Sequence, residues 1–411
     1  GLGYVGLPLF LAFSRKFKTT GYDISKKRIN SLKKGIDYNN ENSLGILNNN
    51  ELELTSDLSK VKSCNIFIIT VPTPINKKNI PDLKLIKQAS KQIGSIIKKN
   101  DIIIYESTVF PGATEEICIP LIEKVSRLKA NHDFFYGYSP ERINPGDKIN
   151  KLENITKVIS GSNKKTTKAL SFIYGKIIKK IYIAKSIKIA EASKIIENTQ
   201  RDLNIALMNE ISMYFDKINL NTEEVLKAAG TKWNFINFKP GLVGGHCIGV
   251  DPYYLTHKAN MLGYKPEVIL AGRRLNDNMG SYIANEVSKL MTKKSIQIAK
   301  ANILIMGLTF KENCPDYRNT RVIDLVKEFK NFSCNVDVYD PWVNKKLVAD
   351  EYKFEPISEP TKGKYDAIVL AVAHDKFKSL SEEMIRSYGK NNHILYDIKY
   401  LLKPNESDGR L

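Results

Sequence analysis

Short apolar runs alternate with amphipathic stretches near both ends of the chain. Because buried parallel strands appear as short, branched apolar runs separated by helices, this alternation predicts βαβ units. In the first part the runs are 64–74 (CNIFIITVPTP) and 101–112 (DIIIYESTVFPG), with a helical stretch over 82–98 between them. In the last part they are 301–307 (ANILIMG), 335–340 (NVDVYD) and 364–373 (KYDAIVLAVA). The predicted fold class is α/β, with two Rossmann-like, doubly wound parallel-sheet domains.

A single long helix is predicted between these two regions. Apolar residues recur with helical spacing from Ile187 to Ile218, among them Ile195, Leu203 and Ile211. About 30 residues at about 1.5 Å per residue give a helix of roughly 45 Å, which is longer than a small domain needs. We therefore expect this helix to join two domains and to pack against a second copy of the chain in a homodimer.

The chain opens with a dinucleotide-binding pattern. Gly1, Gly3 and Gly6 have the GxGxxG spacing, in which glycines permit a tight turn and bring helix N–H groups close to a pyrophosphate. A short strand then ends at Asp23, where an acid that accepts from a ribose 2′-hydroxyl belongs. This acid favours NAD over NADP, because it would repel a 2′-phosphate. The strand that should precede the first glycine is not in the sequence, so we expect a fragment that lacks it.

Composition and charge narrow the class of protein. The chain is 42% hydrophobic and 26% charged, and no apolar run approaches the ~20 residues of a membrane span, so no membrane partner is expected. No export signal precedes the glycines, which favours a cytoplasmic protein. The net charge of +19 is spread along the chain; this argues against nucleic acid as a partner and suits a phosphate-bearing substrate. The five cysteines lack CxxC spacing, which indicates thiols of a reducing compartment and no zinc or other metal.

Cys247 is the first candidate for covalent chemistry. It follows a Gly-Gly turn in GLVGGHCIGVDPYYL, where small residues let a substrate approach closely. An exposed thiol with a lowered pKa would be a nucleophile, whereas a buried thiol would be inert. Asp251 lies four residues further on, either beside the thiol in a helical turn or as the N-cap of a helix that begins at Pro252.

Further candidates rest on position alone, and each has a structural alternative. Lys194 and Asn198 share one face of the long helix, which could also be a solvated polar stripe. Glu141 follows a strand end in YSPERINPG, where a surface turn is the alternative. Four residues lie at the predicted carboxyl ends of strands, where ligands of parallel sheets bind: Val71, Thr73, Ser107 and Thr108. The alternative is that they only cap loops. Three cations in the motif after 301–307 suit phosphate, and the alternative is that they are solvated surface charges: Lys311, Arg318 and Arg321.

Eight motifs, in this order along the chain, carry a resemblance to a known family. They are GLGYVG, GYD, VPTP, ESTVFPG, SPERINPG, EASKIIENTQRDLNIALMNE, GLVGGHCIGVDPYYL and GLTFKENCPDYRNTR. Together they resemble the UDP-glucose/GDP-mannose dehydrogenase family over nearly the whole chain. The segments TKWNFINFKPGLVGGHCIGVDPYYLTHKA and LAGRRLNDNMG look most like the members that oxidise UDP-N-acetylhexosamines for surface polysaccharides.

The resemblance implies three domains and a four-electron reaction. An NAD-binding Rossmann domain covers 1–184, a central helical dimerisation domain with the catalytic cysteine covers 185–295, and a UDP-sugar-binding Rossmann-like domain covers 296–411. With NAD as cofactor, a sugar C6 alcohol becomes a carboxylate through a thiohemiacetal and a thioester on Cys247. The implied roles of the other catalytic residues are the base for the hydrolytic water (Glu141) and oxyanion stabilisation or proton relay (Lys194, Asp251, Thr108 and Asn198).

The resemblance also assigns residues to the two ligands. Those implied for NAD are Gly1, Gly3, Tyr4, Val5, Gly6, Asp23, Arg28, Val71, Thr73, Thr108 and Arg318. Those implied for the nucleotide sugar are Glu141, Arg142, Ile143, Asn144, Lys194, Asn198, Phe238, Lys239, Gly241, Gly244 and Lys311.

Three alternatives stay open at this point. The substrate could be UDP-glucose or UDP-N-acetylmannosamine, and the configuration of the sugar cannot be read from the residues. A two-electron dehydrogenase of the hydroxy-acid type would share the first domain and the long helix but would need no thiol. A non-catalytic nucleotide-sugar-binding protein would keep the fold alone.

Overall fold

The structure is a computed structural model that describes residues 1–37, 52–76, 78–142, 152–245 and 247–411. The chain divides into two compact units. The first unit comprises Gly1–Asn198 and Tyr253–Lys265, and the second comprises Thr199–Pro252 and Pro266–Leu411. The three domain boundaries predicted from the sequence remain a prediction.

The first unit is built on mainly parallel strands. Its helices are α1 (Gly6–Ser14), α2 (Lys26–Lys33), α3 (Lys84–Gly94), α4 (Ile119–Ser126) and α5 (Lys164–Gly175). Its strands are β1 (Thr20–Tyr22), β2 (Glu53–Thr55), β3 (Ile66–Ile69), β4 (Ile102–Tyr105), β5 (Phe135–Tyr138), β6 (Thr156–Gly161) and β7 (Lys180–Ile183). The buried side chains of Phe13, Ile104, Leu170 and Tyr174 belong to one core, which packs α1 and α5 against the sheet.

The strands of the first unit form two separate sheets. β1 and β2 pair in parallel, while the second sheet has the order β3-β4-β5-β6-β7 and is parallel except between β5 and β6. A cavity of about 960 Å³ is lined by Gly21 and Tyr22 of β1 and by Phe67 and Ile69 of β3. β6 was not predicted, because its sequence TKVISG contains only two large apolar residues, Val158 and Ile159.

The second unit contains a fully parallel, doubly wound sheet. Its helices are α7 (Thr222–Ala229), α9 (Glu267–Lys293), α10 (Val322–Asn331), α11 (Lys345–Tyr352), α12 (Asp375–Lys378) and α13 (Glu382–Arg386). Its strands are β8 (Asn302–Met306), β9 (Asn335–Tyr339), β10 (Tyr365–Leu370), β11 (Gly389–Asp397) and β12 (Gly409–Arg410). The order β9-β8-β10-β11-β12 reverses at β8, and ligands of such sheets bind where the order reverses, beyond the strand ends.

Two helices have residues in both units. They are the long central helix α6 (Ile187–Lys217) and α8 (Asp251–Met261). The predicted α/β class with two Rossmann-like sheets and a long central helix is therefore confirmed. Within the described part of the chain, no helix combines the length and the apolar character that crossing a bilayer requires.

Candidate active site

The glycine turn at the start of the first unit has the shape that a dinucleotide requires. Gly6 begins α1 in close packing, because a Cβ there would lie 1.8 Å from the Gly1 carbonyl oxygen. Gly3 is exposed, and among the described residues no packing atom lies within 4 Å of the place its Cβ would take. Tyr4 and Val5 lie half-buried between them. The turn therefore leaves open space at the N-terminus of α1, where backbone N–H groups attract a pyrophosphate.

Asp23 and Arg28 are held against this turn. The Leu2 N–H donates to Oδ2 of Asp23 at 2.7 Å, and the Ser25 N–H donates to its Oδ1 at 2.8 Å. Arg28 donates from Nε to the Leu2 carbonyl at 2.9 Å, and its Nη2 lies 2.9 Å from Asp37 Oδ1. The structure thus brings both predicted cofactor residues to the glycine turn.

The ends of β3 and β4 bring four predicted residues together. Ser107 Oγ donates to the Val71 carbonyl at 2.7 Å, and Thr73 Oγ1 donates to the Thr108 carbonyl at 2.6 Å. The Tyr254 hydroxyl, from α8, donates to the Thr73 carbonyl at 2.6 Å. Two of these hydroxyls therefore do cap loops, while the Thr108 side chain stays half-buried. Tyr254 was not predicted, although it stands in the GVDPYYL motif.

A buried carboxylate fastens the loop after β4 to α6. Glu191 has no exposed surface, and it accepts from the N–H groups of Gly112 at 2.5 Å and Thr114 at 2.9 Å. Burial raises the pKa of Glu191 to about 7, although both N–H groups oppose the shift. Glu191 thereby connects the loop that contains Thr108 with the helix that contains Lys194.

Replacing Glu191 by glutamine is expected to change how stability depends on pH. Because the folded-state pKa is raised from 4.5 to about 7, the stabilisation from the protonated acid is complete below pH 4.5 and is lost as pH rises through 7. Relative to the non-titrating variant, wild type should lose about 1–3 kcal/mol of unfolding free energy between pH 5 and pH 8. Urea unfolding followed by circular dichroism measures this difference. Glu210→Gln, at an exposed position on the same helix, is the control, and a difference that is constant with pH would contradict the assignment.

The polar residues predicted on α6 and after β5 are buried. Lys194 is 8%, Asn198 7% and Glu141 7% exposed, so neither a solvated stripe nor a surface turn describes them. The Arg142 N–H donates to Glu141 Oε1 at 2.7 Å, and the Arg142 guanidinium pairs with Glu197 on α6. The predicted substrate residues Ile143 and Asn144 lie outside the described residues.

Cys247 differs from the other four cysteines, all of which the structure describes. None of the five forms a disulfide, and only Cys247 is exposed. Burial raises the pKa of the Cys118 thiol to about 12 and that of Cys334 to about 11, which makes both poor nucleophiles. The inert buried thiol that was the alternative for Cys247 is therefore wrong.

Asp251 lies one helical turn after this cysteine. Its N–H donates to the Cys247 carbonyl at 2.8 Å, so the segment 247–251 closes a single turn. Helix α8 begins at Asp251, with Pro252 in its first turn, and Asp251 is 2% exposed. Residues 247–250 thus form a turn that leads into the helix, and Asp251 opens that helix together with Pro252.

Two glycines let the loop before Cys247 pack tightly against the loop that follows β8. A Cβ at Gly244 would lie 2.7 Å from the Asn319 carbonyl oxygen. Gly245 has a φ of +85°, which favours glycine, and its Cβ would lie 2.7 Å from the Phe310 ring. Lys311 follows Phe310 in the loop at the point where the strand order reverses.

The substrate loop predicted over 238–244 lies close to residues after β11. Phe238 is half-buried, and exposed Lys239 has its Nζ 5.6 Å from the centre of the Tyr400 ring. Lys399 Nζ lies 3.7 Å from where a Cβ of Gly241 would be, and burial lowers the pKa of this lysine. Lys399 was not predicted, although the rule of ligands at strand ends applies to it.

Two of the three cations predicted to suit phosphate, Arg318 and Arg321, pair with carboxylates in this structure. Arg318 makes two hydrogen bonds to the Asp316 carboxylate, at 2.9 and 2.7 Å. Arg321 pairs with Asp277, and with the Asp324 carboxylate at 3.0 Å. Both arginines thus pair with acids of the same unit, and their assignment to phosphate stays a prediction.

Comparison with known proteins agrees with this arrangement. The domains of the UDP-glucose/GDP-mannose dehydrogenase family match residues 1–182 (NAD binding domain), 188–278 (central domain) and 304–404 (UDP binding domain). This combination defines an NAD-dependent nucleotide-sugar dehydrogenase, an oxidoreductase whose cofactor is NAD. The chain belongs to the UDP-glucose/GDP-mannose dehydrogenase family.

Three similar proteins refine the comparison. A UDP-N-acetyl-D-glucosamine 6-dehydrogenase of Salmonella typhi is 54% identical, over 100% of this chain and 97% of the relative. One of Pseudomonas aeruginosa is 55% identical, over 100% of this chain and 98% of the relative. The solved structure of a UDP-D-ManNAc dehydrogenase from Pyrococcus horikoshii superimposes with a TM-score of 0.89 at 30% identity, and covers 100% of this chain and 97% of its own.

Proposed function

We propose that this protein oxidises the C6 hydroxymethyl group of a UDP-N-acetylhexosamine to a carboxylate, as a step in the synthesis of a surface polysaccharide. The observation that carries the proposal is the exposed thiol of Cys247, in a chain 54% and 55% identical over its whole length to two UDP-N-acetyl-D-glucosamine 6-dehydrogenases. An accessible thiol allows an oxidation to proceed past the aldehyde, because the thiohemiacetal that it forms can lose a second hydride.

Residues of the first unit suit the binding of NAD. The open turn at Gly3 and the N-terminus of α1 would hold the pyrophosphate, and Asp23 would accept from the adenosine ribose. The other residues of the first unit assigned to NAD are Gly1, Tyr4, Val5, Gly6, Arg28, Val71, Thr73 and Thr108; Arg318, of the second unit, is assigned to the same ligand. When bound, NAD supplies a hydride acceptor for each of the two oxidations.

Cys247 is the proposed nucleophile. Its thiolate adds to the C6 aldehyde that the first oxidation forms, and the product is a thiohemiacetal whose alkoxide needs stabilisation. Loss of a hydride and a proton then gives a thioester. Lys194 is the proposed electrostatic partner of that alkoxide, and Asp251, Thr108 and Asn198 relay the protons.

Glu141 is the proposed base for the last step. It accepts a proton from a water molecule, which attacks the thioester carbonyl; the carbon–sulfur bond breaks, and the thiol of Cys247 leaves as the uronic acid forms. The nucleotide sugar is held, in this proposal, by Arg142, Ile143, Asn144, Phe238, Lys239, Gly241, Gly244 and Lys311. Lysines suit its diphosphate as point charges.

The same proposal includes a cytoplasmic homodimer. In the second unit, three apolar residues on α6 or directly after it are spaced seven and four residues apart: Leu207, Tyr214 and Ile218. Their exposed fractions are 50%, 58% and 46%. Apolar side chains aligned on one helix in this way favour burial against another copy. Five cysteines without a disulfide favour a reducing compartment.

The test is the number of NADH molecules formed per UDP-N-acetylglucosamine consumed by the purified protein, with UDP-N-acetylgalactosamine, UDP-N-acetylmannosamine and UDP-glucose run in parallel. We expect a ratio of two and a uronic acid product with an N-acetylhexosamine. A ratio of one would mean a two-electron reaction and would remove the thioester from the mechanism. No turnover with any sugar, despite measurable binding, would support a non-catalytic nucleotide-sugar-binding protein.

A further inference from the structure

A lysine and a glutamate lie fully buried beside the proposed base in the first unit. Lys157 of β6 and Glu106 after β4 have 0% exposed side chains, and their Nζ and Oε2 atoms are 2.5 Å apart. The same Nζ lies 3.7 Å from Oε2 of Glu141. One ammonium is therefore shared between two carboxylates away from water. The mechanism described above uses neither Lys157 nor Glu106.

The remaining polar atoms around the pair are also engaged. The Tyr174 hydroxyl donates to the second oxygen of Glu106, and Lys157 Nζ donates to the Pro140 carbonyl at 3.3 Å. A buried ion pair seldom stabilises a protein more than apolar residues of the same shape would. Stability alone therefore does not account for two glutamates and a lysine at this place.

The loop that contains Glu141 is fastened to the strand that contains Lys157. Ser139 Oγ donates to the Val158 carbonyl at 2.8 Å, and Arg142 Nη1 donates to the Thr156 carbonyl at 2.9 Å. With the bond from Lys157 to Pro140, three successive residues of β6 hold the loop on both sides of Glu141. The position of the Glu141 carboxylate is thus set by β6.

We propose that Lys157 and Glu106 are positioning residues that hold Glu141 as a carboxylate and set the pH range in which it acts as a base. This inference rests on the proposed function, because it assigns Glu141 to thioester hydrolysis. Burial raises the pKa of Glu106, and the ammonium of Lys157 opposes this rise. Further charged or titratable groups at this place include Tyr174, Arg142 and the Glu197 that pairs with Arg142.

The charges predict opposite effects for two variants. Glu106→Gln removes a negative neighbour of Glu141, so the acid limb of the pH profile of kcat should move down by about one pH unit. Lys157→Met leaves two carboxylates without their cation, so the limb should move up by about one unit or more. The double variant removes one charge of each sign and should return the limb close to that of wild type. It also replaces a buried ion pair by neutral groups, which folded proteins tolerate better than a single unpaired charge.

The measurement is the initial rate of NADH formation at saturating NAD and UDP-N-acetylglucosamine, from pH 5 to pH 10. Glu141→Gln identifies the limb that belongs to the base, because it should remove that limb. Tyr174→Phe deletes a neutral partner of Glu106 in the same pocket; it should lower the melting temperature without moving the limb. The inference would be overturned if the acid limb stays in place in both charge variants, or if it moves in the same direction in both. Absence of turnover by wild type with any UDP sugar would instead overturn the proposed function.

Discussion

Replacing Cys247 by alanine is expected to lower the rate of uronic acid formation at least about 1000-fold, because the thioester can then no longer form. Binding of NAD and of the nucleotide sugar should change little, since the thiol contributes to a covalent step. The experiment measures NADH formation at saturating concentrations of both ligands and identifies the carboxylate by mass spectrometry. A full yield of acid with two NADH per sugar would refute the covalent mechanism.

Cys64→Ala is the matched control for this variant. Cys64 is half-buried, lies in the first unit and has no assigned role, so its loss should leave the rate within a factor of about two. Because Cys247 is exposed, Cys247→Ala should also keep the unfolding free energy within about 0.5 kcal/mol of wild type. A large loss of stability would mean that the rate effect cannot be assigned to chemistry.

Features that depend on neighbouring residues in the sequence were predicted well. The helix predicted over 187–218 is Ile187–Lys217, and the run predicted over 301–307 contains β8. The strand ends at Thr73 and Thr108 could also be anticipated, because parallel strands place their carboxyl ends at one edge. Periodicity and spacing were sufficient in these cases because the information is local.

Features that depend on pairing between distant charges were missed. Lys157 and Glu106 are 51 residues apart, and a lysine in a short strand is normally read as a solvent-facing residue. Likewise, nothing in GLTFKENCPDYRNTR shows that Arg321 pairs with Asp277, which lies 44 residues earlier in the chain. The role of Cys247 came from the order of eight motifs; its residue type and spacing left an inert thiol open.

The second unit contains a buried ion pair that no motif indicated. Arg273 on α9 is 1% exposed and donates from Nη1 to Oδ1 of Asp202, which is 0% exposed, at 2.6 Å. Asn276 Nδ2 donates to the same oxygen at 2.8 Å, and Arg273 Nη2 also pairs with Asp277. Burial raises the pKa of Asp202 even with the guanidinium beside it. The charged form of Asp202 is therefore stabilised in the interior mainly by the guanidinium of Arg273.

Arg273→Met is expected to lower the unfolding free energy by about 3–5 kcal/mol at pH 8, because it leaves Asp202 charged and buried without its cation. The loss should shrink toward pH 5: the pKa of Asp202, already raised, rises further without the guanidinium, and protonation then removes the buried charge. Both tryptophans of the chain, Trp233 and Trp342, lie in the second unit, so their fluorescence during urea unfolding reports on that unit. Arg274→Met, at the exposed neighbouring position, should cost less than about 0.5 kcal/mol. Equal losses in the two variants, or a loss in Arg273→Met that does not change with pH, would show that the Asp202 charge is not what Arg273 stabilises.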